Sequence, residues 1–172
     1  MERYYKTVES PVGRLILISG AKGLSGVHWK TPDTTQESVK DCLQKDDHPI
    51  LLEAEKQLSE YFTKQRKNFS FDLAFEGTAF QVQVWQALLT IPFGETRTYG
   101  EIAKQIGSPD AVRAVGGAAN KNPIAIIAPC HRVIGATGKL IGFGGGLSNK
   151  KFLLDFEATH KQLSIWNPDK TT

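Results

Sequence analysis

The chain has 172 residues and a net charge of +3, with 40% hydrophobic and 23% charged residues. These values are typical of one globular domain, or of one domain with a small companion, and they exclude a collagen, a coiled coil or a chain disordered throughout. No segment reaches the ~20 apolar residues of a membrane span, the start is too polar for a signal peptide, and only two cysteines are present, so we expect a cytoplasmic protein without a disulfide framework.

The first half of the chain predicts a small α/β unit. β-rich runs separated by turn signals lie at residues 4–8, 15–18 and 24–29 and indicate an antiparallel meander. Thr34 and Glu37 have capping-box spacing, which predicts a helix to about Leu43. Apolar residues at helical spacing predict a second helix over Ile50–Thr63.

The boundary of this unit is expected near Gly77. Residues 69–75 alternate between apolar and other side chains, which predicts a strand or an extended linker. After it the chain changes from strands to helices. We therefore divide the chain into an N-terminal α/β subdomain, 1–77, and a mostly α-helical C-terminal subdomain, 78–172.

The C-terminal half predicts short, well-capped helices. Thr78 with Gln81, and Thr98 with Glu101, form two further capping-box patterns at the starts of apolar helical repeats. The second of these helices is expected to stop at Gly107.

A third helix follows directly and gives the half a helix-turn-helix form. Ser108 and Pro109 read as the N-cap and first residue of a helix that reaches about Asn120. Two short helices joined by a tight turn are typical of the helix-turn-helix, although helical domains of many functions contain them. A final helix is predicted over Lys150–Ala158.

Charge is distributed unevenly along the chain. From Arg97 to Lys151 there are eight basic and two acidic residues, a net charge of +6, whereas the remainder carries −3. This asymmetry favours a polyanion as the partner of the C-terminal half. The alternative is a solvated surface with a chance excess of basic residues.

The segment 122–135 carries the chemistry. An apolar run ends at Pro129, Cys130, His131 and Arg132. A lone cysteine after such a run is usually a buried core thiol. Here a proline shapes a turn, and a base and a cation adjoin the sulfur, which is the setting that favours a nucleophilic thiolate. We therefore interpret Cys130 as a nucleophile.

Glycines at 142, 144, 145 and 146 form the second signal. A phosphate-binding loop would have a strand before it and a Gly-Lys-Ser/Thr run after it, and neither is present. The glycines instead indicate a loop whose backbone approaches a ligand or another segment closely.

These motifs resemble the O6-alkylguanine-DNA alkyltransferase family. PCHRV at 129–133 is preceded by AVRAVGGAANKNP and followed by the glycine-rich loop and KKFLLDFE. The resemblance covers Thr78–Glu157 motif by motif, while the N-terminal half matches in general character. It implies a ribonuclease H-like N-terminal subdomain and a C-terminal winged helix-turn-helix.

The resemblance implies roles in alkyl transfer for four residues. Cys130 matches the acceptor thiol, and His131 matches the base that activates it through a bridging water. Glu157 matches the carboxylate that orients the histidine. Tyr99 matches the hydroxyl that hydrogen-bonds the purine and stabilises the guanine leaving group.

Other matching positions concern DNA and the substrate pocket. Arg113 matches the finger that fills the base stack after a nucleotide is flipped out, and further DNA contacts are expected at Tyr99, Ala111, Lys121 and Arg132. Asn122 matches the residue that braces the active-site turn. The backbone of Cys130, Val133 and Gly144 matches groups that bind guanine, and Phe143 and Gly145 are expected to support the pocket.

The function implied is DNA repair by direct reversal. The alkyl group of O6-alkylguanine, and by extension of O4-alkylthymine, passes irreversibly to Cys130 in a single turnover. The partner is double-stranded DNA, entered from the minor groove with the damaged base flipped, and the protein is expected to be a monomer without a cofactor. No cysteine precedes Cys42, so no structural zinc is predicted.

Three other functions fit these residues less well. A non-enzymatic protein that recognises alkylated bases would carry tryptophan at the acceptor position, where this chain has Cys130. A helix-turn-helix regulator would not need the PCHR motif. A Cys-His hydrolase normally takes its base from a distant segment and leaves Arg113 without a role.

Overall fold

The structure is a computed structural model that describes residues 2–31, 39–140, 143 and 145–166. The chain divides into two units, which are described separately: residues 1–77 together with 123–127, and residues 78–122 together with 128–172. Among the residues described, the first unit has a small sheet and the helix over residues 49–62, and the second unit is mainly helical. This two-part architecture confirms the predicted fold class.

A four-stranded sheet forms the first unit, in the order β3-β2-β1-β4. The strands are β1 (Arg3–Val8), β2 (Leu15–Ser19), β3 (Leu24–Trp29) and β4 (Cys42–Gln44). β1, β2 and β3 are antiparallel, as the meander prediction required, while β4 pairs in parallel with β1. Every residue of β2 is buried, and helix α1 (Pro49–Phe62) packs its Leu51, Ala54 and Leu58 into the core.

The prediction of a helix that reaches Leu43 is wrong at its C-terminal end. Asp41 has a φ of 66°, outside the right-handed helical region, and Cys42–Gln44 is a strand. Pairing with β1 overrides the local preference there. Thr34 and Glu37 lie outside the described residues.

Two further segments bind to β3 through its backbone. Leu24 donates to the carbonyl of Asp72 at 3.0 Å and accepts from Ala74 at 2.8 Å, so residues 69–75 form the extended linker rather than a full strand. The approach is close, because a Cβ on Gly23 would lie 2.5 Å from the Asp72 oxygen. On the same strand, Val27 donates to the Pro123 carbonyl at 2.9 Å.

In its described residues, the second unit contains four helices, one 3₁₀ turn and a pair of two-residue strands. They are α2 (Ala79–Leu88), β5 (Arg97–Thr98), α3 (Tyr99–Gln105), α4 (Val112–Asn120), the 3₁₀ turn (Cys130–Arg132), β6 (Val133–Ile134) and α5 (Leu147–Trp166). Both capping boxes of this unit are formed. Thr98 accepts from the Glu101 amide at 3.1 Å, and the Glu101 carboxylate accepts from the Thr98 amide at 2.9 Å.

Two helix boundaries differ from their predictions. α4 begins at Val112, because Ser108 and Pro109 belong to a tight turn in which Ala111 donates to the Ser108 carbonyl at 2.9 Å. Proline suits the second position of such a turn as well as it suits a helix start, and the sequence signal is the same for both. The final helix extends beyond its predicted limits at both ends.

Buried apolar residues of every helix, together with Ile91 after α2, hold the second unit together. They are Val84, Leu88, Ile91, Ile102, Ala103, Val115, Ala119 and Leu153. The Trp85 indole donates to the Ala118 carbonyl at 2.8 Å, which joins α2 to α4. Within the described part of the chain, no helix has the length and apolar character needed to cross a bilayer.

Thr98→Ala should lower the free energy of unfolding by about 1 kcal/mol, since it removes the side-chain oxygen that satisfies a free amide at the start of α3. Urea unfolding monitored by circular dichroism measures the change. The control is Thr96→Ala, an exposed neighbour, which should stay within about 0.5 kcal/mol of the parent. Equal losses for the two variants would contradict the capping argument.

Candidate active site

A tight turn at Pro129 presents Cys130. Pro129 has φ −82° and ψ 68°, close to an inverse γ-turn, and the Cys130 amide donates to the Ala128 carbonyl at 2.8 Å. The same carbonyl accepts from the Asn122 side-chain amide at 2.7 Å. Proline presets the φ of the turn and asparagine holds its carbonyl, so the position of Cys130 is determined by its backbone.

The chain enters this turn through a strained residue. Ile126 has a φ of 72° and is almost fully buried, and the Ile127 amide donates to the Ala125 carbonyl at 2.8 Å across it. This is the rare γ-turn of positive φ, which costs a β-branched residue of the order of 1–3 kcal/mol. Burial of Ile126 and the bond from the Ala125 amide to the Val27 carbonyl at 3.2 Å hold it in place.

The side chains of His131 and Glu157 form a hydrogen bond. The imidazole Nε2 lies 2.8 Å from Glu157 Oε2, and both side chains are buried. An ionised carboxylate only accepts hydrogen bonds, so Nε2 carries the proton and Nδ1 of the neutral ring is an acceptor. Among the described residues, Nδ1 is buried without a hydrogen-bond partner. The residue that follows Cys130 in the chain therefore has a ring nitrogen, Nδ1, that is able to accept a proton.

Arg132 faces the interior rather than DNA. Its Nε donates to Glu157 Oε1 at 2.8 Å and its Nη2 donates to Oε2 at 2.9 Å, while Nη1 donates to the Ile91 carbonyl at 2.7 Å. The guanidinium also lies 5.6 Å from the centre of the Phe93 ring. Because the whole side chain is buried, we interpret Arg132 as a positioning residue for Glu157 and correct its assignment to the DNA surface.

These contacts determine the charges of the cluster. Burial raises the pKa of Glu157, but His131 and Arg132 outweigh it and hold that pKa well below its usual range. Burial lowers the pKa of His131, and the attraction of Glu157 only partly offsets this. Glu157 therefore favours the charged imidazole, but burial outweighs this attraction, and the charges of Arg132 and Lys150 lower the pKa of His131 further.

The Cys130 thiol is buried, and burial raises its pKa. A hydrogen bond from Asn122, the charge of Lys150 and hydrogen bonds from the backbone of Cys130 and His131 act in the opposite direction. In the free protein the thiol is therefore protonated at neutral pH, and it needs a base to become a nucleophile. A neutral His131 is able to be that base, whereas an imidazolium is not.

A pair of parallel two-residue strands positions Tyr99. Arg97 pairs with Val133 and Thr98 pairs with Ile134, which places the start of α3 beside the residues that follow Cys130. Burial raises the pKa of Tyr99, so its hydroxyl is a proton donor at neutral pH. α4 passes close by, since a Cβ on Gly116 would lie 3.8 Å from the Tyr99 ring.

Lys150 is the residue of this cluster that sequence reasoning missed. It is fully buried, and its Nζ donates to the Val133 carbonyl at 2.6 Å and to the Tyr99 hydroxyl at 3.4 Å. In the sequence it is one of two adjacent lysines, Lys150 and Lys151, at the start of an amphipathic helix. Only helical periodicity, which places Lys150 on the same face as Leu153 and Glu157, could have indicated that it points inward.

The glycine-rich segment borders the same residues. Phe143 is half-buried, and its ring centre lies 6.0 Å from Lys150 Nζ. Gly145 accepts from the Asn149 side chain at 2.8 Å, and the Lys150 amide donates to the Gly146 carbonyl at 3.1 Å, so the segment leads directly into α5. Gly144, for which a guanine contact was expected, lies outside the described residues.

Three of the residues predicted to bind DNA lie on or beside α4. Arg113 is exposed in its first turn, Ala111 is its N-cap, and the exposed Lys121 is its C-cap. Val112 is exposed as well. These residues give α4 an accessible start and end of the kind that a helix in a nucleic-acid groove requires.

The basic excess of the stretch 97–151 is smaller at the surface than in the sequence. Arg132 and Lys150 point inward. Arg97 pairs with Glu95, and Lys151 pairs with Asp155, and these two acids lie just outside the stretch. The charge argument for a polyanion therefore depends on fewer side chains than the sequence count indicated.

Comparison with known proteins identifies the same two halves. Residues 3–75 match the model of the "6-O-methylguanine DNA methyltransferase, ribonuclease-like domain", and residues 79–159 match that family's DNA binding domain. The chain is 50% identical over 156 residues to a methylated-DNA–protein-cysteine methyltransferase of Methanosarcina acetivorans, covering 91% of this chain and 99% of that protein. The protein of the same name from Mycobacterium leprae is 49% identical, covering 88% and 90% respectively.

A solved structure agrees with these matches. The Mycobacterium tuberculosis OGT in complex with DNA superimposes with a TM-score of 0.82 at 47% identity. The match covers 91% of this chain and 94% of that one.

Glu157→Gln should lower the free energy of unfolding at neutral pH by about 3–5 kcal/mol, since it leaves the Arg132 guanidinium buried without its counter-charge. The folded pKa of Glu157 lies below the unfolded value of about 4.5, so the ionised carboxylate stabilises the fold fully above that value. This contribution is lost as the pH falls, and the difference between parent and variant should shrink below about pH 4.

Urea unfolding at a series of pH values measures this difference. The matched control is Asp155→Asn on the same helix, an exposed carboxylate paired with Lys151, which should change stability by about 0.5 kcal/mol or less at every pH. A Glu157→Gln protein as stable as Asp155→Asn would show that the buried cluster contributes little.

Proposed function

This chain belongs to the 6-O-methylguanine DNA methyltransferase family, and from that premise we propose that Cys130 accepts the alkyl group of O6-alkylguanine in DNA. The protein is a methylated-DNA–protein-cysteine methyltransferase, and it repairs DNA by direct reversal. The observation that supports these catalytic roles is the buried cluster of Cys130, His131, Glu157 and Arg132. In this cluster a thiol held by a tight turn is followed by a neutral imidazole base.

The transfer is a displacement at carbon. His131 Nδ1 takes the thiol proton, through a bridging water as the family resemblance implies, and Glu157 holds the resulting imidazolium by its Nε2–H. The Cys130 sulfur then forms a bond to the alkyl carbon while the bond from that carbon to guanine O6 breaks. The electron pair of the broken bond remains on the guanine.

Tyr99 stabilises this leaving group. A phenol whose pKa is raised by burial keeps its proton, and it donates a hydrogen bond to the purine as negative charge develops there. The carbonyls of Cys130 and Val133 accept from the guanine amino group, while Phe143 and Gly145 border the base.

The thioether that forms is poorly reactive, and the mechanism includes no second thiol that would remove the alkyl group. Each chain therefore acts once, as a stoichiometric reagent. The same geometry extends to O4-alkylthymine, whose alkyl carbon is attached to an equivalent exocyclic oxygen.

DNA reaches the site with the damaged nucleotide extruded. Guanine O6 is inaccessible to a thiol within a duplex, and flipping costs a few kcal/mol, less for a damaged pair. α4 enters the minor groove, Arg113 occupies the place of the extruded base, and Ala111, Lys121 and Tyr99 contact the backbone around it. The protein acts as a monomer in the cytoplasm, with alkyl transfer in residues 78–172 and residues 1–77 as a separate subdomain.

A non-enzymatic role in recognising alkylated bases is less well supported. Such a protein needs a pocket for the base but has no use for a thiol with an adjacent neutral base. The cost of burying Glu157 and Arg132 together is understandable if the pair serves to hold His131 for proton transfer.

Cys130→Ser should bind methylated duplex DNA and accept no methyl group, since a hydroxyl is far less nucleophilic than a thiolate at neutral pH. Intact mass measurement after incubation with DNA containing O6-methylguanine decides this, followed by peptide mapping. The parent and the control Cys42→Ser should each gain one methyl group per chain, on the peptide that contains Cys130. Methyl transfer by Cys130→Ser, or a methyl group on Cys42 of the parent, would overturn the assignment.

Arg113→Ala should slow repair of duplex DNA by about tenfold or more, because the space in the stack is no longer filled and flipping becomes less favourable. Repair of free O6-methylguanine needs no flipping and should change little. Single-turnover rates on the two substrates measure the ratio. Lys22→Ala, which removes an exposed positive charge from the first unit, should leave both rates unchanged. Equal losses on both substrates would instead indicate that Arg113 is structural.

A further inference from the structure

Asn149 is an unexpected residue at the start of α5. It is the third residue of the helix, a position where a carboxylate is favoured because it faces the positive end of the helix dipole. The first turn of α5 nevertheless contains no acidic residue, and two lysines, Lys150 and Lys151, follow Asn149 directly. Asparagine also has a low helix propensity. Helix formation alone therefore does not explain an amide at this position.

The hydrogen bond of Asn149 gives a reason for the amide. Its Nδ2 donates to the Gly145 carbonyl, four residues earlier, at 2.8 Å. Both residues are partly shielded from water. A carboxylate of the same size only accepts hydrogen bonds and would repel the carbonyl oxygen. Position 149 therefore supplies a donor to the backbone that precedes the helix.

This bond belongs to a series that joins α5 to the glycine-rich segment. The Lys150 amide donates to the Gly146 carbonyl at 3.1 Å, and the Gly146 amide donates to the Phe143 carbonyl at 2.9 Å. Gly146 has a φ of 92°, a value that favours glycine. The carbonyls of residues 143, 145 and 146 are thus each held by a hydrogen bond. Asn149 contributes the side chain of this series, and the other two donors are backbone amides.

Phe143 connects the series with the residues that hold the substrate. Its ring centre lies 6.0 Å from Lys150 Nζ, and the same Nζ donates to the Val133 carbonyl at 2.6 Å and to the Tyr99 hydroxyl at 3.4 Å. In the proposed function Val133 accepts from the guanine amino group, and Tyr99 donates to the purine. A displacement of the Phe143 backbone therefore moves part of the wall against which the base is held.

We propose that Asn149 is a positioning residue for the substrate base, because its amide fixes the Gly145 carbonyl, and with it the backbone that carries Phe143, at the start of α5. The inference rests on the proposed function, since it adds a residue to the pocket of the same site. Asn149 acts through Gly145 rather than on a reacting atom. Its contribution is geometric, and a misplacement of about 1 Å is enough to slow a displacement reaction by up to ~100-fold.

Asn149→Asp separates the effect on the pocket from the effect on the helix. Aspartate keeps the size of the side chain, loses both N–H donors and adds a charge that is favourable at a helix start. Its carboxylate is also able to accept from the Gly146 amide, as in a capping box, and this competes with the Phe143 carbonyl. The variant should therefore be at least as stable as the parent in thermal unfolding, although its pocket is displaced.

Single-turnover methyl transfer measures the consequence, on duplex DNA containing O6-methylguanine and on free O6-methylguanine. In Asn149→Asp the maximal rate should fall by about tenfold on both substrates, because both occupy the same base pocket. The DNA concentration that gives half the maximal rate should change by less than about twofold, since the DNA contacts proposed for α4 are retained.

Two further variants are the controls. Ser148→Asp adds the same charge at the exposed neighbour, and it should keep the parent's rates on both substrates. Asn149→Ser keeps a short donor, of the kind that bonds to the carbonyl four residues earlier in helices, and its rates should stay within about threefold of the parent.

Three results would overturn the proposal. Asn149→Asp as fast as Ser148→Asp on both substrates would mean that the bond to Gly145 does not position the base. An Asn149→Asp protein that unfolds well below the parent's temperature would make Asn149 a structural residue. Asn149→Ser as slow as Asn149→Asp would mean that a donor is not what this position supplies. Failure of the proposed function looks different, because the parent itself would then carry no methyl group after incubation with methylated DNA.

Discussion

The buried carboxylate of Glu157 is the interaction on which the active-site unit depends. Its two oxygens are shared between the guanidinium of Arg132 and the imidazole of His131. With His131 alone, the carboxylate would be a poorly compensated charge in the interior. With Arg132 alone, it would not hold the imidazole base. With both, it stays ionised, holds α5 against the 3₁₀ turn and directs the unprotonated nitrogen of His131 away from itself.

Burial is the main reason that His131 stays neutral. Glu157 favours the imidazolium, but this attraction only partly offsets the loss of hydration, and the charge of Arg132 lowers the pKa of His131 further. The carboxylate still determines the orientation of the ring. The order Cys-His-Arg places the base and the arginine in one turn, and the hydrogen bond from Asn122 to the Ala128 carbonyl holds the start of that turn.

Local signals in the sequence predicted the parts of the fold that form through local contacts. The capping boxes at Thr78 and Thr98, the meander and the helix over residues 50–63 are all present, because each depends on residues a few positions apart. Predictions failed where a distant partner decides the outcome. Pairing with β1 draws Cys42–Gln44 into a strand, and a turn rather than a helix start incorporates Pro109.

For the site, the sequence by itself determined the family, the presence of a thiol beside a histidine and an arginine, and the candidate partners at Tyr99, Asn122 and Glu157. Which way a cation points, and therefore what it does, was decided by the tertiary structure. Arg132 and Lys150 look like surface charges in the sequence, yet both are buried, where Arg132 pairs with Glu157 and Lys150 donates to the Tyr99 hydroxyl. The physical reason is that a charge affects pKa values through burial and through neighbours from other elements, and neither quantity is written in the order of residues along the chain.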